Sequence, residues 1–425
     1  MWEDYERKNK ITKIILAVVA VILAAGLIWG IKLANERDVE AESEFQVMAQ
    51  QNQADQEAAK AEQLAKIEAD YEQDMAVIEQ YLPGIVCWGD RLTAGSAGAV
   101  SYPSALEELI KTNITNLYDF RSTLDYADNI SRVDWTQYKA EIPIVNLGTG
   151  EENTYTILGR SGADPYVVYY DITIPAETEQ VALYIRSSEG KMVEPLTEGD
   201  GGVNPVTIAG IEGTLTHGSE GYNTTYYFTR LEPGEEIFVP AGTEIVTAAA
   251  DEYLNYFPII WIGSYGDYSS AEDLVSQIRL LLEHHGNPDR YLVVGLCYID
   301  IYYGGGYNTA FEDFESVMLK AFGDHFINLR KYMASDALAD AEMEASKDDE
   351  YELSVGRPPQ SLRATKDSRE FSATGYKLIG QLIYDRMDQL GYFDEIVKEL
   401  GIYTVREEIR TGVRDENGVT ITSGQ

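Results

Sequence analysis

Hydrophobic and polar positions divide the chain into stretches with different periods. Residues Ile14 to Ile31 carry no charge and are almost entirely apolar. That run is at the lower limit for spanning a bilayer and longer than the ~7–15 residue core of a cleaved signal. From about Ala34 to Gln80 the sequence is rich in Ala, Glu and Gln, without Gly or Pro until Pro83-Gly84. Leu64, Ile67, Tyr71, Met75, Ile78 and Leu82 recur at spacings of three and four, the stripe of an amphipathic helix. Upstream of Leu64, Gln and Asn stand where apolar residues should be. This pattern predicts a cytoplasmic N-terminus over 1–13, a transmembrane helix over 14–33 and a helical stalk over 34–82, ~70 Å long at 1.5 Å per residue. Two arrangements stay open: a homo-oligomer through the stalk, which lacks sustained heptads, and a monomeric helix whose C-terminal half packs on the body.

The body alternates strand-like and helix-like segments. Strands are predicted at 84–89, 141–147, 257–263, 290–299 and 325–329, and helices at 102–112, 152–160, 271–285, 309–321 and 372–390. Such alternation is the signature of a parallel sheet with helices on both faces. Between the second and third strands, residues 161–256 carry short β runs such as Tyr166-Val167-Val168-Tyr169-Tyr170 and Thr225-Tyr226-Tyr227-Phe228. Turn signals punctuate them, among them Gly199-Asp200-Gly201-Gly202 and Pro233-Gly234. The expectation is an α/β domain of 83–160 and 257–400, interrupted by a small β domain over 161–256. The tail, 401–425, reads as a hairpin or a frayed end. The segment 112–140, with Tyr118, Phe120, Tyr126 and Trp135, reads as a packed helix in preference to a lid.

Charge gives these segments a direction. Arg7, Lys8, Lys10 and Lys13 precede the apolar run, whereas Lys32 and Arg37 beyond it are soon outnumbered by Glu36, Asp38, Glu40, Glu42 and Glu44. A basic flank on that side predicts a single-pass protein of the cell membrane, N-terminus cytoplasmic and body extracellular. A cleaved signal peptide is the alternative. The whole chain has net charge −38, and beyond Ala34 it holds 28 Lys/Arg against 68 Asp/Glu. Such a body repels phosphate backbones, so nucleic acid is not an expected partner. The 44% hydrophobic and 11% aromatic content excludes a wholly disordered chain. No Asp-x-Asp-x-Asp-Gly loop is present, and no metal or cofactor is expected. Cys87 and Cys297 fall in separate strand-like runs and read as small core hydrophobes without a disulfide, which fits a bacterial surface better than a eukaryotic secretory route.

Four short blocks carry the candidate chemistry. They are Gly89-Asp90-Arg91-Leu92-Thr93-Ala94-Gly95, Val145-Asn146-Leu147-Gly148-Thr149-Gly150-Glu151, Ile262-Gly263-Ser264-Tyr265, and Asp367-Ser368-Arg369-Glu370 opening the last predicted helix. In that order, at strand ends and a helix start, they resemble the blocks of the GDSL/SGNH hydrolases. The resemblance implies a flavodoxin-like α/β fold and places the nucleophilic serine at Arg91. It puts the oxyanion glycine at Glu151, or at Gly150 with a shift of one residue, and the oxyanion asparagine at Tyr265. Of the Asp-x-x-His pair, Asp367 is retained and Glu370 replaces the histidine.

Serine acyl transfer needs a hydroxyl, an imidazole and donors aimed at the oxyanion. A guanidinium stays protonated and cannot attack a carbonyl. The expected reading is therefore a degenerate pocket of Asp90, Arg91, Gly150, Glu151, Tyr265, Asp367 and Glu370, with an ion pair between Arg91 and Glu370. His217, His284, His285 and His325 offer no rescue. The implied role is a non-catalytic module that binds a cell-surface glycan or protein. The alternatives are an esterase acting on surface or carbohydrate esters, and a structural subunit of a surface assembly. The carboxylates Asp90, Glu151, Asp367 and Glu370 are also the raw material of a glycosidase pair, but Arg91 among them is expected to hold their pKa values down. Tyr226, Tyr227, Phe228, Tyr302 and Tyr303 read as core aromatics before sugar-stacking platforms.

Overall fold

The structure is a computed structural model describing residues 2–95, 100–126, 133–220, 223–298, 307–366 and 368–402. Asp367, Tyr302, Tyr303 and the tail from 403 lie outside the described residues. The chain falls into two units, Met1–Gln73 and Asp74–Gln425.

The first unit is one helix. α1 runs unbroken from Trp2 to Tyr81, so its last residues belong to the second unit. Its most apolar window has a mean hydropathy of 2.9 and none of it is buried, with Ile22, Leu23, Leu27, Ile28 and Trp29 each more than 60% exposed. By length and composition it can cross a membrane. Within the second unit, Ile78 and Leu82 enter the main core and Asp74 pairs with Arg121 at 2.7 Å.

The second unit is built on a five-stranded, all-parallel sheet of β1 (Ile85–Gly89), β2 (Ile144–Gly148), β3 (Phe257–Trp261), β4 (Leu292–Val294) and β5 (Phe326–Ile327), in the order β2-β1-β3-β4-β5. Strands β1 and β3 are buried along their whole length, as continuous apolar runs in a two-sided sheet should be. Among its helices are α2 (Tyr102–Ile110), α3 (Thr154–Arg160), α4 (Ala271–His284), α5 (Tyr307–Phe322) and α6 (Ala373–Gln389). Helix α4 shows why they form here. Ser270 caps it by accepting from the Asp273 amide, Glu272 and Asp273 sit in the positive first turn, and Leu274, Ile278, Leu281 and Leu282 turn inward. Helix α6 packs closely on α2: a Cβ at Gly380 would strike Ala105. The predicted helix within 112–140 is present as a π turn at Lys111–Thr115 and a helix at Asn116–Tyr126, with Leu117 and Tyr118 in the core.

Cys87 lies on β1 and Cys297 just beyond β4, strands that are not neighbours; both cysteines are free and buried.

Between α3 and β3 the chain forms antiparallel structure. Among the described residues a seven-stranded sheet has the order 181–183, 223–230, 211–220, 206–208, 244–246, 166–168, 185–187, and 172–174 pairs separately with 237–239. It has its own apolar core, in which Tyr166, Tyr226 and Phe228 are buried. Tyr226 and Phe228 are thus packing residues.

Candidate active site

Register brings the site together. Gly89 of β1 pairs with Gly148 of β2 on one side and with Trp261 of β3 on the other, so three strands end level. The loops that follow carry Asp90 and Arg91, Gly150 and Glu151, and Ser264 and Tyr265 to one edge of the sheet. That edge, outside the carboxyl ends of β1 and β3 where strand order reverses, is where open α/β sheets bind ligands.

Asp90 caps the turn Arg91–Ala94, its Oδ1 accepting from the Leu92 amide at 2.9 Å. The residue is wholly buried, and among the described residues no ordinary hydrogen bond reaches Oδ2. Burial pushes its carboxyl up to about 7 against the pull of the Leu92 amide and the adjacent Ser264. The expectation that Arg91 depresses the carboxylates around it therefore fails at Asp90: loss of hydration outweighs a guanidinium that points away toward other partners.

Those partners are carboxylates. Arg91 Nε stands 2.6 Å from Glu370 Oε1, and its Nη1 donates to Glu151 Oε1 at 2.9 Å. The expected ion pair is present, and Glu151 makes it a bridge. Burial works against the guanidinium's charge, and Glu370 and Glu151 outweigh it, raising its pKa above the ordinary value. Glu370 is positioned by a small latch. Arg363 bridges Phe371, the Ala364 amide donates to the Glu370 carbonyl, and the Ser361 amide donates to Asp349, which also accepts from the Ser346 amide in the capping box of the helix Lys347–Ser354.

Tyr265 is half-buried, and desolvation with the nearby Asp90 pushes its phenol up to about 12, so it stays a hydrogen-bond donor at neutral pH. Gly150 takes φ +33°, and a Cβ there would run into Glu198, which reaches over from the antiparallel region. Arg369 donates to the Ser264 carbonyl at 2.7 Å and lies 5.9 Å from the Tyr265 ring.

Sequence reasoning missed the buried pair beneath this site. Arg160 and Glu152 have side chains 0% and 2% exposed and meet at 2.8 Å. Arg160 also donates to the carbonyls of Gly89 and Gly201, at 3.4 and 2.7 Å, and stacks 5.4 Å from the Trp88 ring. A Glu and an Arg eight residues apart carry no pattern that announces burial; a charged pair opening and closing a short helix between two sheets was the available signal.

The histidines are engaged elsewhere. Trp88 Nε1 donates to His285 Nε2 at 3.1 Å, His284 Nε2 meets the Ala250 carbonyl, and His325 Nδ1 faces Tyr291 and Tyr392. His217 lies on the antiparallel sheet, opposite Tyr226. Among the described residues no cluster of three or more His, Cys, Asp or Glu side chains is placed to hold a metal ion. Chemically, the edge offers a guanidinium bound to two carboxylates, a neutral phenol and a buried carboxyl. No protein-family model matches the chain, and neither a curated protein nor a solved structure matches it.

Proposed function

We propose that this chain is a membrane-anchored, SGNH-like binding module whose pocket has lost ester hydrolysis. One observation carries the reading: Arg91, where that family's mechanism requires a serine, is ion-paired to both Glu370 and Glu151. A cation held between two acids supplies neither nucleophile nor base, and Glu151 repels the negative charge that an oxyanion develops. The strand order β2-β1-β3-β4-β5 is of the flavodoxin-like type and supports the fold assignment. On this reading the antiparallel region between α3 and β3 is an inserted domain, the body lies outside the membrane, and its partner is a surface glycan or protein.

The full chain in lipid nanodiscs is the material for the test. Acetylated sugars and short-chain nitrophenyl esters are expected to show no turnover above blank, and a fluorophosphonate probe no covalent adduct. Turnover abolished by Glu370→Gln, or an adduct at Ser264, would overturn the proposal.

A further inference from the structure

A hollow of about 390 Å³ opens where the start of α3, the loop from β3 to α4 and a turn of the antiparallel region meet. Tyr155, Lys191, Asp267, Tyr268, Ser269 and Asp273 line it, and none of them belongs to the Arg91 edge. Its volume falls within the ~300–1,000 Å³ usual for small-molecule sites. The polar groups are held in place. Asp267 takes φ +66°, and its carbonyl accepts from Thr154 Oγ1 at 2.9 Å and Gln277 Nε2 at 3.0 Å, which fixes the backbone beneath an exposed carboxylate. Asp273 accepts from the Ser269 amide and hydroxyl at 2.7 and 2.8 Å. Burial raises the Asp273 pKa, but those bonds, Gln277 and the charge of Lys191 outweigh it and hold the carboxyl below its usual range. The Ser187 amide donates to the Lys191 carbonyl and the Lys191 amide to Ser187 Oγ, closing the turn that sets the ammonium 5.5 Å from the Tyr155 ring.

Charge narrows the occupant. Lys191 lies among two aspartates, and Arg186 bridges Met192, the residue after Lys191, so neither sign prevails. An anion meets carboxylates there, and a cation meets Lys191 and Arg186. A carboxylate only accepts hydrogen bonds and an ammonium only donates them, so an uncharged ligand that answers both must donate and accept around its own rim. Hydroxyl groups do both. Tyr155 and Tyr268 add flat apolar faces with polar tips, which suit a ligand with a C–H face inside a hydroxyl rim. We propose that this hollow binds a neutral sugar ring, whose hydroxyls donate to Asp267 and accept from Lys191 while its C–H face packs on the tyrosines. The site stands apart from Arg91 and does not depend on whether that pocket is inert.

The test uses the full chain in lipid nanodiscs, empty nanodiscs as blank, and saturation-transfer NMR on methyl β-glucoside, methyl β-galactoside and methyl N-acetyl-β-glucosaminide. Ring C–H protons of at least one glycoside are expected to take up saturation above blank, with millimolar affinity that added salt leaves unchanged. Asp267→Gly, suited to the positive φ there, and Lys191→Met, on an exposed turn, are each expected to weaken binding about tenfold, because each strips a charged partner from a hydroxyl. Equal melting curves establish that the variants fold. No saturation from any of these glycosides, or saturation indifferent to either variant, overturns the inference. Saturation lost in Arg91→Met and kept in both hollow variants overturns it by moving the sugar to the Arg91 edge. Tighter, salt-sensitive binding of methyl β-glucuronide overturns the choice of a neutral ligand. Binding of the neutral peptide acetyl-seryl-glycyl-serine amide, with no binding of the glycosides, overturns it in favour of a peptide site.

Discussion

Arg91 keeps 41% of its side chain in solvent and Arg160 keeps none, and that difference sets what each ion pair contributes. Partly exposed pairs contribute ~0–1 kcal/mol, whereas breaking a buried one costs ~3–5 kcal/mol because the partner charge is stranded. Arg91→Met is therefore expected to shift the unfolding free energy by at most about 1 kcal/mol in urea titrations, and Arg160→Met to lower it by about 3–5 kcal/mol. A larger loss from Arg91→Met than from Arg160→Met would contradict this ranking. Two buried titrations also oppose each other. Indole N–H only donates, so His285 Nε2 must accept and the ring must be neutral. Burial holds its pKa down to about 4. Stability from His285 is complete above its unfolded pKa near 6.5 and is lost as pH falls toward 4. Asp90, raised to about 7, acts in reverse: its contribution is complete below an unfolded pKa near 3.9 and is lost as pH rises toward 7. Asp90→Asn keeps the cap and removes one slope. Its stability is expected to climb more steeply than the parent's between pH 4 and 7, and an unchanged profile would contradict the buried carboxyl. Of the site, Arg91 opposite Glu370 was legible because the resemblance to a family pattern set those two positions face to face. Glu151's share in the bridge was not, because which of several nearby acids a flexible guanidinium selects depends on side-chain geometry that no spacing encodes.

At the scale of elements, period and punctuation did most of the work. β1 and β3 are unbroken apolar runs, and α4 has a serine cap followed by acids and an apolar stripe. Replacing Ser270 by Ala is expected to cost about 1 kcal/mol, readable as a lower urea midpoint at unchanged slope. Strand ends were less legible: the run 290–299 narrows to Leu292–Val294, since pairing with short β5 and not hydrophobicity decides where a strand stops. The antiparallel region's turns were visible, but its strand order was not, because pairings such as 244–246 beside 166–168 join residues distant in sequence. For α1, Val19→Arg with Leu23→Arg is expected to move the chain out of the carbonate-resistant membrane fraction, as each central arginine costs ~2.5–3.5 kcal/mol of insertion. Retention in that fraction would argue against a span at Ile14–Ile31.

Across the whole molecule, net charge −38 sets a self-repulsion that salt relieves. Raising ionic strength from ~0.02 to ~0.3 M is expected to raise the melting temperature, since the Debye length falls from over ~20 Å to under ~8 Å. A further consequence lies in Arg160, whose guanidinium donates to a carbonyl at the end of β1 and to another in the loop at Gly201. Were the antiparallel layer to peel away by itself, a dry cation would lose the Gly201 carbonyl while still locked against Trp88 and Glu152. The two layers should consequently melt as one in calorimetry, and a graft of either alone would need a neutral residue at position 160 to stand.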